Sequence, residues 1–316
     1  PFRQRRVRRV ALAVMLWASP AIAGDLAFVT SQNAEMVTLV DLQSGEVLAQ
    51  TPVAGKPAAV AYDPVAARAY VMAADTGRLY VLDERGGVKA SRNLGEGAFG
   101  LAAAPQGGLF VTDWFAARLI HLDRNLQKAW EVPTGAAPAG VAASADGALV
   151  ATADRDDDQV SIFDGRTGAL LHRVKTAGPH PFGITWHDGR FWTADVQGDS
   201  LSVIDPVAGM LAGQVATGSH PYAVAFAGGR GFVTNQYDGT LTVFDPATLT
   251  VQDEIAVGDY PEGIGALPDG DGVVVANWES DTLVVVDAET LAITAEVDLP
   301  SGPRAFGQFT GRQVSP

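Results

Sequence analysis

The chain has 316 residues and no cysteine, which excludes disulfide scaffolding, thiolate catalysis and thiolate metal sites. Its 36 acidic against 22 basic residues give a net charge of −14. That balance disfavours nonspecific nucleic-acid binding, which is driven by phosphate neutralisation, and the length allows one large repeat array or two ordinary domains.

The first 23 residues read as a segment apart from the fold. Arg3, Arg5, Arg6, Arg8 and Arg9 precede an apolar run from Val10 to Trp17, and Ala21-Ile22-Ala23 forms a small-x-small cleavage site. Together these predict a secretory signal peptide removed near Ala23, too short to span a bilayer without its charged flank. A periplasmic or secreted location is therefore expected. General secretion is favoured over the twin-arginine route because Arg8-Arg9 runs straight into Val10-Ala11-Leu12. No later stretch is long and apolar enough to span a membrane. Loss of five arginines leaves 17 basic against 36 acidic residues, a net −19.

From residue 26 onward one pattern is written seven times. Its anchor is an alternating apolar run that ends in aspartate, at Asp41, Asp83, Asp123, Asp164, Asp205, Asp245 and Asp287, with spacings of 42, 40, 41, 41, 40 and 42. Alternation is the period of a half-buried strand. Before each anchor lies a second strand built on Phe28, Tyr70, Phe110, Ala151, Trp192, Phe232 or Val274. It ends at Ser31, Ala73, Asp113, Asp154, Asp195, Asn235 or Asn277. Short polar residues in that column are expected to bond their own backbone and start a turn. Downstream stands a Gly-x-x-Pro turn with Pro57, Pro138, Pro181, Pro221, Pro261 and Pro303, replaced by Ala98 in the second repeat. Proline there fixes the turn into the next inner strand.

Four short strands in about 41 residues are one propeller blade. The columns resemble the YVTN β-propeller repeat, with Phe232-Val233-Thr234-Asn235 the nearest copy, over nearly all of residues 26 to 309. The expected fold is all-β, a seven-bladed β-propeller of four-stranded blades spanning residues 24–316. The pattern opens near Leu26 on the second strand of a blade, and Arg304 to Phe309 matches an inner strand. The C-terminal strand should therefore join the N-terminal blade and close the ring, which removes exposed edges. Gln313 to Pro316 is expected to be a loose tail.

The turn after the second strand and the Gly-x-x-Pro turn should share one face, because a meander alternates ends. Loops on a rigid scaffold concentrate binding residues. The position before proline reads Lys56, Gly97, Ala137, His180, His220, Tyr260 and Gly302, and the position after it Ala58, Phe99, Ala139, Phe182, Tyr222, Glu262 and Arg304. Candidate binding residues around this mouth are His180, His220, Lys56, Arg304, Tyr260, Glu262, Trp114, Tyr237 and Trp278, with the exposed aromatic groups as hot-spot material. Lys56, Arg304 and the histidines would make a cationic mouth that focuses a small anionic ligand or a periplasmic partner protein. His180 and His220, equivalent in neighbouring blades, are candidates for metal or haem contact, but two histidines fall short of the three protein ligands of catalytic zinc. Asp154, Asp156 and Asp158 alternate as in the first half of a calcium loop. Gln159 and Gly165 stand where that loop needs a glycine and a glutamate.

The resemblance implies a non-catalytic binding or scaffold protein, some of whose relatives are associated with periplasmic quinoprotein or cytochrome systems. Residues 178–195 also resemble streptogramin lyase repeats, which brings in a propeller enzyme of lyase or lactonase type, although no His-x-x-Glu-His arrangement follows. Service as a non-catalytic subunit of an amine-oxidising dehydrogenase complex is a third reading.

Overall fold

The computed structural model describes residues 24–313, so the expected signal peptide lies outside the described residues. Seven sheets follow one another along the chain, each built on the antiparallel four-stranded blade the repeat predicts. In the second blade the strands run outward from the channel as Pro57–Asp63, Arg68–Ala73, Arg78–Asp83 and Val88–Asn93. The innermost of these is buried throughout and the outermost is almost wholly exposed, as expected when each blade packs on the next and turns its last strand to water. The aromatic column of the second strand supplies the packing between blades, with Phe28, Tyr70, Phe110, Trp192 and Phe232 at most 2% exposed. Large buried aromatic side chains contribute most of the apolar area in such layers. No helix among the described residues is long and apolar enough to cross a membrane.

Two polar columns shape the turns. Each anchor aspartate accepts the backbone N–H two residues on through one carboxylate oxygen, as Asp245 does from Ala247 at 2.8 Å and Asp287 from Glu289 at 3.1 Å. These are aspartate turns of the expected sort. The column that ends the second strand behaves differently from expectation. Asp154, Asp195, Asn235 and Asn277 are fully buried and reach across to hydroxyls of the third strand. Asp195 accepts from Ser200 at 2.9 Å and Ser202 at 2.7 Å, and Asn235 donates to Thr240 and Thr242, both at 2.9 Å. Asp195 also accepts the Gly178 N–H at 3.1 Å, and Asp154 the Gly135 N–H at 2.9 Å. They pin the turn that precedes the proline, because a buried side chain bonds what is nearest and water cannot compete. Only Asp113 follows the expected pattern, accepting the Ala116 N–H at 2.9 Å.

The threonine of the repeat stitches blades together. Thr30, Thr112 and Thr234 donate to the carbonyls of Ala58, Ala139 and Glu262 in the following blade at 2.8, 2.9 and 2.9 Å. Each such bond contributes about 1 kcal/mol and fixes the residue after the proline.

Closure occurs as expected, through the C-terminal strand, and in two pieces. Thr310–Arg312 pairs antiparallel with Asp25–Ser31 and completes the first blade. Just before it, Phe306–Gln308 leaves that register and pairs in parallel with Pro57–Asp63, adding a fifth strand to the second blade inside the channel. Ala305 at φ 47° and Gly307 at φ 109° make this detour. A Cβ on Gly307 would lie 2.5 Å from the Val60 carbonyl oxygen, so only glycine fits. Gln313, expected to open a loose tail, is instead tied into the fold, its N–H donating to the Gly24 carbonyl at 2.9 Å; residues 314–316 of that expectation lie outside the described residues.

Candidate functional site

The two turns do share a face. In every blade the residue before the proline position offers its carbonyl to the first backbone N–H of the turn after the second strand. The donors are Gln32, Ala74, Trp114, Arg155, Val196, Gln236 and Trp278, at 2.7 to 3.2 Å. That geometry needs a left-handed backbone, and all seven acceptors have positive φ, from 50° at Ala137 to 99° at Gly97. Glycine adopts this conformation without steric penalty, whereas other residues give up about 1 kcal/mol. Lys56, His180, His220 and Tyr260 nonetheless occupy it, at φ 60°, 60°, 54° and 57°. Carboxylates of the preceding blade hold the same residues from below: Asp158 accepts the His180 N–H at 2.9 Å, and Asp199 the His220 N–H at 3.0 Å.

Sixth and seventh blades together bring most of the expected residues into one cluster. The His220 imidazole stacks on Tyr237 with centroids 3.7 Å apart, and Tyr237 meets Tyr260 at 5.7 Å. Tyr237 is 60% exposed. Between the two tyrosine rings and Asp238, Asp259 and Glu279 lies a shallow depression of about 400 Å³. Burial and the neighbouring Tyr237 phenol hold the Tyr260 hydroxyl above its ordinary pKa, so the Tyr260 phenol is a neutral hydrogen-bonding group.

One layer deeper, Arg304 and Glu262 form an ion pair. Arg304 Nε lies 2.7 Å and Nη2 3.2 Å from the two Glu262 oxygens. Gln236 donates to the same carboxylate at 2.9 Å, Arg304 also donates to Tyr222 at 3.1 Å and Gln32 at 3.2 Å, and the guanidinium lies over Trp278 at 5.2 Å. Glu262 is 2% exposed. Burial pushes its carboxyl up, while the guanidinium and the Gln236 amide pull it back; the Arg304 guanidinium is in turn held firmly protonated by Tyr222 and Glu262. A bidentate pair of this geometry is ionised at neutral pH. The expectation of a cationic mouth is corrected here, because the Arg304 charge is compensated and the rim beside Tyr237 is lined by carboxylates.

Below the pair the channel is shut. Phe306, carried into the channel by the closing detour, meets Phe99 at 5.4 Å, Phe182 at 5.0 Å and Tyr222 at 5.6 Å, with Phe182 on Tyr222 at 4.8 Å. Trp114 packs on this stopper, 5.6 Å from Phe99 and 6.2 Å from Phe182. Of the expected mouth residues, then, His220, Tyr237 and Tyr260 group at the surface, Glu262, Arg304 and Trp278 beneath them, and Trp114 serves the stopper. Lys56 and His180 stand apart in other blades. No hydrogen bond or ring contact joins His180 to His220 among the described residues, and no three His, Asp or Glu side chains there are grouped as a metal site. The three aspartates of the calcium reading are separately engaged: Asp154 by Thr152, Ser161, Gln159 and Gly135, Asp156 by Arg155 at 2.5 Å, and Asp158 by His180.

Sequence reasoning missed Gln236 and Phe306. The signal for Phe306 was slight, since its position depends on the detour and only the neighbouring Gly307 hints at that. The Glu262–Arg304 pair had a clearer one: in the column after the proline, the two stand in consecutive blades.

A family model described as YNCE-like beta-propeller matches residues 207–300, and one described as outer membrane protein assembly factor BamB matches residues 3–129. With the fold, they support membership of a β-propeller family. A search of curated proteins finds no match. Among solved structures, a functionally unknown protein from Desulfotomaculum acetoxidans is similar at TM-score 0.76 and 15% identity, covering 91% of this chain and 98% of that one. A streptogramin B lyase is similar at TM-score 0.69 and 18% identity, over 81% and 92%. Kuenenia stuttgartiensis hydrazine synthase is similar at TM-score 0.70 and 16% identity, over 87% and 99%. Identities this low speak for the fold alone.

Proposed function

We propose that the protein is an exported, YVTN-type β-propeller that binds a ligand or a periplasmic partner protein without transforming it, and that its working surface is the rim of the sixth and seventh blades. One observation carries the reading. His220 and Tyr260, which precede neighbouring blades, gather their rings about Tyr237 at centroid distances of 3.7 and 5.7 Å, and aromatic groups collected on loops of a rigid scaffold make a recognition surface. The exposed Tyr237 beside them is the residue type that dominates binding energy in recognition surfaces. The stopper beneath gives the rim a solid floor and leaves the work to surface groups. A tie to a periplasmic redox system belongs to the same proposal, supported by the repeat resemblance. The similarity to a hydrazine synthase is one of fold only.

The test is a variant with His220 and Tyr260 both changed to glycine, used beside the wild type to recover partners from a periplasmic extract. Glycine relieves the strained backbone, so the variant should melt no lower than wild type while losing the captured species. Capture at wild-type level by a folded variant would overturn the assignment.

A further inference from the structure

On the far side of the stopper the channel is hollow. A cavity of about 550 Å³ runs from Phe306 to the opposite face, where Pro64, Pro105 and Ala145 mark the turns between first and second strands. Pockets of this size take drug-sized molecules. The space exists because the inner strands carry alanine and glycine along this half, Ala102, Ala142, Ala225 and Gly265 among them.

The chemistry of the wall is specific. No Lys, Asp or Glu lines it. Its one guanidinium, on Arg312, is neutralised by Asp25 at 2.8 Å, and its one phenol, on Tyr62, donates to Glu84 at 2.6 Å. The hydroxyls of Thr185 and Thr310 are engaged by the Val224 and Ala266 carbonyls, at 2.9 and 2.8 Å. His187 is held neutral by burial and lies flat on Phe226, centroids 3.9 Å apart and planes 3° apart, beside Trp186. Three polar side-chain groups on the wall have no hydrogen-bond partner among the described residues, the exposed Gln308 amide, the His187 imidazole and the Trp186 indole N–H. An ion entering here would lose its hydration with no opposite charge to meet it. An apolar molecule would exchange water for aromatic and aliphatic surface.

We infer that this cavity is a second binding site, independent of the rim, for an uncharged and mainly apolar small molecule bearing one or two hydrogen-bonding groups. Gln308 engages those groups, and the Trp186, His187 and Phe226 side chains supply the flat apolar wall.

The probe is N-phenyl-1-naphthylamine, an uncharged apolar fluorophore, titrated into the purified protein and followed by emission. Saturable binding at one site per chain is expected. Gln308→Trp, which fills the middle of the cavity, and Ala145→Trp, which narrows its mouth, should each weaken binding by roughly tenfold or more with the melting temperature unchanged. The anionic analogue 8-anilinonaphthalene-1-sulfonate should bind roughly tenfold more weakly than the neutral probe. Tyr237→Ala at the rim should leave the titration as it was, which separates this site from the rim. Unsaturable binding, binding indifferent to both tryptophans in folded protein, or equal binding of the anionic analogue would overturn the inference.

Discussion

The same seven inner strands build both ends of the channel, and the two ends have little in common. At the rim five of the seven strands begin with large or charged side chains, Phe99, Phe182, Tyr222, Glu262 and Arg304, which meet across the axis and fill it. Toward the opposite face the strands carry mostly small residues and leave about 550 Å³ open. The difference shows that repeat symmetry governs backbone and hydrogen bonding, while the asymmetry that makes a surface useful comes from a few side chains and one detour of the closing segment.

The largest expected effect comes from breaking the ion pair at the rim end. Arg304→Ala strands the Glu262 carboxylate in a site that is 2% exposed, and loss of one partner of a buried pair costs about 3 kcal/mol or more. Denaturant unfolding should show this loss. The double variant Glu262→Gln with Arg304→Ala should recover much of it, since the stranded charge is gone. A single variant as stable as wild type would mean the stopper end is not organised by this pair.

A smaller loss should follow from widening the contact that seats the closing segment. A Cβ on Gly263 would lie 2.3 Å from the Ala305 carbonyl oxygen and 2.4 Å from that of Arg304. Gly263→Val should therefore cost roughly 1–3 kcal/mol by overpacking and lower the melting temperature. It should also disturb the cavity, whose end wall Phe306 follows Ala305.

The smallest effect is one of pH, and it compares blades rather than ends. Burial pushes the Asp195 carboxyl up to about 7, against the hydrogen bonds from Ser202, Ser200 and Gly178, while Asn235 and Asn277 fill the same column uncharged. The unfolded chain releases this proton near its ordinary value of 3.8 and the folded chain keeps it to about 7. Stability from this group is therefore lost as the pH climbs between those values, and the loss is complete above them. Asp195→Asn should flatten that decline and gain at least ~1 kcal/mol at pH 8, with no gain at pH 3. An unchanged pH profile of unfolding would show that Asp195 titrates as an ordinary carboxylate.

How much of this could be read beforehand differs by level. The anchor aspartates and the prolines gave the blade count and the ring, because backbone turns leave a residue-by-residue signature. The rim residues were legible as departures from the columns. The destination of the buried Asp195 and Asn235 side chains was not, since short polar residues suit a local turn and a cross-strand hydroxyl equally well, and only burial decides. Arg304 to Phe309 reads as an unbroken inner strand, with Gly307 the one residue that hints at the detour. The cavity had no signature at all: alanine and glycine on an inner strand fit a packed core as well as a void.

That the species captured from a periplasmic extract is held at the rim, and not in the cavity at the other end, is tested most directly by amide hydrogen exchange on the recovered complex. Protection is predicted at residues 219–222, 236–239, 259–262 and 278–281, with the opposite face exchanging as in the free protein. Protection confined instead to residues 102–105, 142–145 and 185–187 would contradict it.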